Sequence, residues 1–176
     1  MDFFDFSYIS LLQRPKYFSV IRVLLKRVAK HITMAEKLIH LLHIEDDNID
    51  RMVVQRVLKK FPSVSTIHQA QNGQEALDML RGANGQDILK PFPNVILVDI
   101  NMPKMNGIEF LKELRSDDNL KHLPAFVLTT SNDQMDRAQA HQCNVAGYIL
   151  KPLDLSIYDA AFRTLTDFWQ LCELPQ

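Results

Sequence analysis

Two rhythms of apolar residues alternate along most of this chain. Leu38-Ile39-His40-Leu41-Leu42-His43-Ile44, Val95-Ile96-Leu97-Val98, Phe126-Val127-Leu128 and Tyr148-Ile149-Leu150 are short, nearly continuous apolar runs, the pattern of strands buried on both faces. Ser65 to Ala70 adds one more short strand. Between these runs the spacing becomes helical: Ile49, Val53, Val54, Val57 and Leu58 within Asn48 to Lys60, Ala76, Leu77 and Leu80 within Gln74 to Arg81, and Ile108, Phe110, Leu111 and Leu114 from Gly107 onward. Asp133 to Gln142 predicts a polar helix and Leu155 to Leu171 a last amphipathic one. Phe61-Pro62 ends the first helix, and Asn119 to Pro124 turns the chain into the fourth strand. Gly82 to Pro93, with two glycines, two prolines and no usable period, reads as loop. Strand and helix thus alternate five times, which predicts a parallel sheet joined by right-handed crossovers with helices on both faces.

The residues just past each strand carry the chemistry. The first strand stops at Glu45-Asp46-Asp47, the third at Asp99 with Pro103 soon after, the fourth at Thr129-Thr130-Ser131 and the fifth at Lys151-Pro152. Taken singly these are ordinary residues: Asp47 is a good helix N-cap, Asp99 a turn former, Tyr148 a core aromatic. In an open α/β sheet, however, the carboxyl ends of the strands line one crevice. Bringing Glu45, Asp46 and Asp99 together requires the first and third strands to be neighbours. The expected fold is therefore a flavodoxin-like, doubly wound, five-stranded parallel sheet of order 2-1-3-4-5.

Composition narrows the function classes. An apolar fraction of 47% and a charged fraction of 23% are those of an average globular protein. The net charge of −1 hides an asymmetry, because Met1 to Thr33 holds six basic residues against Asp2 and Asp5. That leader is +4 and the remainder −5, which argues against broad nucleic-acid binding by the larger part. Cys143 and Cys172 are far apart and lack any metal-ligand spacing, fitting a reducing cytoplasm. His40 and His43 would project to opposite faces of their strand. No apolar run reaches the length of a membrane-spanning helix.

Glu45-Asp46 after a strand, Asp99 in VDINMPKMNG, Thr129 after the fourth strand and Lys151-Pro152 after GYIL together resemble the receiver domain of two-component response regulators, over about Glu36 to Glu173. The resemblance implies that Asp99 is the phosphoacceptor. It implies that Glu45, Asp46, Asp99 and the backbone carbonyl of Asn101 serve Mg²⁺, or Mn²⁺ in its place, with Glu45, one methylene longer, acting through water. Thr129 and Lys151 become the switch hydroxyl and the phosphoryl-binding lysine, Tyr148 the switch aromatic, and Pro152 a cis-proline candidate. Glu-Asp stands where the family more often has Asp-Asp. The long segment from Gly82 to Pro93 is similar to a single-domain subgroup that includes partners of bacterial phytochromes.

Such a reading implies a cytoplasmic relay, phosphorylated by a sensor histidine kinase or a phosphotransfer protein and signalling through altered protein contacts. It is a phosphoacceptor and not an enzyme beyond promoting its own phosphorylation and slow dephosphorylation, with Asn101 and Ser131 flanking the route of attacking water. Only Cys172 to Gln176 come after the last helix, so direct DNA binding is not expected. Ile157, Phe162, Leu165, Phe168 and Trp169 give that helix apolar surface for a homodimer through the fourth-helix, fifth-strand, fifth-helix face, or simply for core packing. An aspartate-nucleophile phosphohydrolase would place a second Asp two residues after the nucleophile, where this chain has Asn101. A receiver-like interaction module that is not phosphorylated is the other alternative.

Residues 1–35 form a basic extension and 36–176 the receiver. Within the extension Ile21, Leu24, Leu25, Val28 and Ile32 recur at helical spacing, with Arg22, Lys26 and Lys30 to one side. This pattern suits an anionic membrane surface or an apolar patch of the receiver. Equally, Met34 is a natural beginning, and the extension is then upstream sequence included by choice of start site.

Overall fold

In the computed structural model, which describes residues 37–152 and 154–175, the ten expected elements succeed one another: β1 (Ile39–Ile44), α1 (Asn48–Leu58), β2 (Val64–Ala70), α2 (Gly73–Arg81), β3 (Val95–Val98), α3 (Gly107–Ser116), β4 (Ala125–Thr129), α4 (Gln134–Gln142), β5 (Gly147–Leu150) and α5 (Leu155–Leu171). The amphipathic extension lies outside the described residues. All strand pairs are parallel and the sheet order is β2-β1-β3-β4-β5.

Alternation along each strand sorts the core into two layers. Leu42, Ile44, Ile96, Val98, Ala125 and Val127 pack against α2, α3 and α4. Ile39, Leu41, Val95, Leu97, Phe126 and Leu128 face α1 and α5, where Phe126 meets Trp169 edge to face at 5.6 Å between ring centres. The central strands β1, β3 and β4 are buried almost throughout, as continuous apolar runs require.

Helix ends are set by local chemistry. Asp47 caps α1, its carboxylate accepting from the backbone N–H groups of Ile49 and Asp50. Asn106 and Glu109 form a reciprocal capping box at α3, and Gly82 closes α2 in the left-handed conformation. One helix departs from expectation: Ile49 is 66% exposed. Val54, Val57 and Leu58 define the buried face of α1, and at 100° per residue Ile49 falls about 130° away from it. By the same geometry α5 buries Tyr158, Phe162 and Trp169 and half-buries Leu165, while Ile157 and Phe168 stay exposed on its flank.

Arg115, near the end of α3, ties three segments together. Its guanidinium donates to the carbonyls of Cys143 at 2.8 Å, Lys121 at 3.0 Å, Leu123 at 2.9 Å and Asn144 at 3.3 Å. Arg115→Ala strands these acceptors, so chemical denaturation is expected to show a loss of about 2 kcal/mol. Arg115→Lys is expected to recover only part of it, since one ammonium cannot replace a planar fork.

Candidate phosphoryl site at the strand ends

Sheet register decides which side chains meet. Ile44 pairs with Val98, so the next residues, Glu45 and Asp99, emerge side by side, with Asp99 N–H bonded to the Ile44 carbonyl at 3.0 Å. Glu45 N–H is held by Ala70 at 3.0 Å. Across the sheet Thr129 pairs with Leu150, and Lys151 N–H donates to the Thr129 carbonyl at 2.8 Å. Residues scattered over a hundred positions are thereby delivered to one edge.

Glu45, Asp46 and Asp99 each present an oxygen within 4.8 Å of the others. Glu45 and Asp99 are buried and Asp46 is exposed. Asp99 Oδ2 accepts from Asn101 N–H at 2.8 Å, whereas Oδ1 is buried without a hydrogen bond. An orphaned carboxylate oxygen within a set of hard oxygen donors fits a divalent cation of the Mg²⁺ kind.

Lys151 is the counter-charge. Its side chain is 6% exposed, and its Nζ lies 2.6 Å from Glu45 Oε2, 2.6 Å from Asp50 Oδ2 and 3.5 Å from Asp99 Oδ1. Burial works against the ammonium, but hydrogen bonds to Asp50 and Glu45 and the charge of Asp99 outweigh it, so its pKa is raised and it stays charged. Burial pushes the Glu45 carboxyl up to about 7 despite the pull of Lys151, with Asp99 adding repulsion.

Thr129 is fully buried, and its Oγ1 accepts from Ser131 N–H at 3.2 Å, keeping the hydroxyl hydrogen to donate. Tyr148 is half-buried against the α2–α4 side of the core and donates its hydroxyl to the Ser131 carbonyl at 2.9 Å. The Arg137 guanidinium lies 5.6 Å from its ring centre, and Ser131 Oγ in turn donates to Asp136 at 2.6 Å. Pro152 needs a correction: among the described residues the cis X–Pro bond is Lys90–Pro91, in the loop before β3, and not Lys151–Pro152.

Three residues of the site carry no signal in the sequence. Asp50 looks like an ordinary acid in the first turn of a helix, and its bond to Lys151 spans 101 positions. Arg51 donates to the Glu45 carbonyl at 2.6 Å and the Asp46 carbonyl at 3.2 Å, and also bonds Asn48 Oδ1. Gly107 marks a helix start in sequence, yet a Cβ there would sit 2.1 Å from the Asp99 carbonyl oxygen.

His43 lies beneath the site, 1% exposed, and burial, with the nearby charges of Lys151 and Arg51, lowers its pKa from 6.5 to about 3. The unfolded chain binds a proton here that the folded chain refuses, so this residue removes stability as pH falls below 6.5 toward 3. The slope is roughly 1.4 kcal/mol per pH unit. His43→Leu is expected to flatten the acid limb of unfolding free energy against pH; an unchanged slope would assign acid sensitivity to other groups.

The family model for the response regulator receiver domain matches residues 41–162. Among solved structures, the phosphorylated cyanobacterial phytochrome response regulator RcpA is 30% identical, with a TM-score of 0.73 over 79% of this chain and 99% of that one. The Mn²⁺-bound form of response regulator Rcp1 is also 30% identical, with a TM-score of 0.70 over 77% of this chain and 98% of that one. A two-component response regulator from Legionella pneumophila is 41% identical, covering 73% of this chain and 98% of its own at a TM-score of 0.62. No curated protein matches the chain.

Proposed function

The chain belongs to the response regulator receiver family, and from that premise we propose that Asp99 accepts the phosphoryl group in a phosphorelay fed by a histidine kinase. The observation that carries this reading is the convergence of Asp99 Oδ1, buried and without a hydrogen bond, with Lys151 and two further carboxylates. An Asp99 oxygen forms the new bond to phosphorus as the donor's bond breaks. Lys151 offsets the negative charge brought against an anionic nucleophile, which is the main barrier to phosphoryl transfer. Thr129 donates its hydroxyl hydrogen to a phosphoryl oxygen. When bound, Mg²⁺ or Mn²⁺ supplies further charge neutralisation, and Glu45, Asp46, Asp99 and the Asn101 carbonyl would hold it.

The readout is a change of contacts. Thr129 and Tyr148 both bond Ser131, so a shift of Thr129 toward a phosphoryl group pulls on the loop that Tyr148 grips, and the surface of α4, β5 and α5 responds. Ile157, Phe168 and Leu171, all exposed on α5, offer apolar surface for self-association. RcpA is a phytochrome response regulator, which supports a bacterial phytochrome as the kinase. Among the described residues no helix is long and apolar enough to cross a membrane. Membership of the receiver family supports a cytoplasmic relay.

Intact mass of the protein after incubation with a small phosphodonor tests the reading. One added phosphoryl group in the presence of Mg²⁺, lost with a chelator, is the expected result. No adduct, together with no spectral response to beryllofluoride, would leave a receiver fold used only for binding.

A further inference from the structure

We propose that Asp50, in the first turn of α1, is a positioning residue that aims the Lys151 ammonium at the phosphoryl site; this rests on Asp99 being the acceptor. A lysine ammonium has three N–H donors on a flexible four-carbon stem, and left to itself it samples many rotamers. Here two donors are taken at the same short distance, 2.6 Å to Glu45 Oε2 and 2.6 Å to Asp50 Oδ2. The third is left for Asp99 Oδ1, 3.5 Å away. That third donor is free to turn to a phosphoryl oxygen on Asp99, so the ammonium can receive it without giving up either anchor.

The anchors come from different elements. Glu45 sits at the end of β1 with its side chain 2% exposed, and Asp50 approaches from α1 with 33% exposed. Asp50 is itself fixed: its N–H is held by the Asp47 cap at 2.9 Å, while the next residue, Arg51, clamps the carbonyls of Glu45 and Asp46. The first turn of α1 therefore sets lysine and acidic loop relative to each other. Asp50 is not part of the three-carboxylate cation cluster, so its removal separates lysine placement from cation binding.

The test compares Asp50→Ala, Asp50→Asn and Asp50→Glu with the parent by two titrations: Mg²⁺ alone by calorimetry, and beryllofluoride at saturating Mg²⁺ by amide NMR. Asp50→Ala and Asp50→Asn are expected to bind beryllofluoride on the order of tenfold more weakly, with Mg²⁺ affinity little changed and part of the loss recovered in Asp50→Glu. Unchanged beryllofluoride affinity in the Ala and Asn variants would overturn the proposal. Tighter binding would overturn it too, because Asp50 would then compete with the phosphoryl group for the lysine. Equal loss of Mg²⁺ and beryllofluoride affinity would reduce Asp50 to general support of the acidic loop. A parent that ignores beryllofluoride altogether sinks the acceptor reading of Asp99 first.

Discussion

Asp99→Asn is expected to take up no phosphoryl group from a small donor in Mg²⁺ while unfolding no more easily than the parent chain. The amide keeps an oxygen to accept from Asn101 N–H, now bonded at 2.8 Å, so the β3 end has no reason to move. What disappears is the anionic oxygen needed to form the bond to phosphorus. One of three carboxylates packed within 4.8 Å also loses its charge, so Mg²⁺ affinity is expected to fall by about tenfold or more, because hard cations depend on the number of charged oxygen ligands. Intact mass and calorimetry read the two effects separately. Phosphoryl uptake that persists in the variant would move the acceptor to another carboxylate and remove Asp99 from that role.

The second large effect is structural. Gly107→Ala would place a methyl group 2.1 Å from the Asp99 carbonyl oxygen and 2.9 Å from Ile100 Cα. Both obstacles are backbone, so no side chain can swing away to relieve the clash. The turn from β3 into α3 must open, and Gly107 N–H, bonded to the Ile100 carbonyl at 2.9 Å, moves with it. A loss of about 3 kcal/mol in chemical denaturation is expected, together with weaker Mg²⁺ binding because the displaced segment carries Asp99. Stability and cation affinity close to those of the parent would show that the turn is looser than its packing indicates. Gly73→Ala is expected to cost stability as well, since its added Cβ would meet Met105 Cγ and Phe110 Cβ at 2.8 Å and Phe110 Cβ moves only with the backbone of α3.

Much of this fold is written locally. Two-sided burial demands unbroken apolar runs, and one-sided burial demands helical spacing, so β1, β3, β4 and the helices announce themselves through periodicity; β5 carries a similar run yet lies half-buried at the sheet edge. Strand order needs one added requirement, that Glu45, Asp46 and Asp99 converge, and the sheet meets it. Acid, hydroxyl and lysine at successive strand ends point to the crevice without any coordinates. Ile49 misleads because an apolar residue at helical spacing does not reveal where the buried face is centred.

Contacts that depend on three-dimensional approach alone have no expression in the sequence. Asp50 obeys a helix-terminus rule that accounts for it completely, so nothing in the string hints that its carboxylate reaches Lys151, 101 residues away. Gly107 satisfies a helix start just as well, and only the packing of α3 over the end of β3 shows that no Cβ fits there. Sequence by itself determined the elements, their order and which residues end each strand at the crevice, because those depend on periodicity and on local residue type. Tertiary structure alone decided how the lysine is aimed and how closely the backbone is packed, because hydrogen bonds and steric contact act over a few ångströms whatever the separation along the chain.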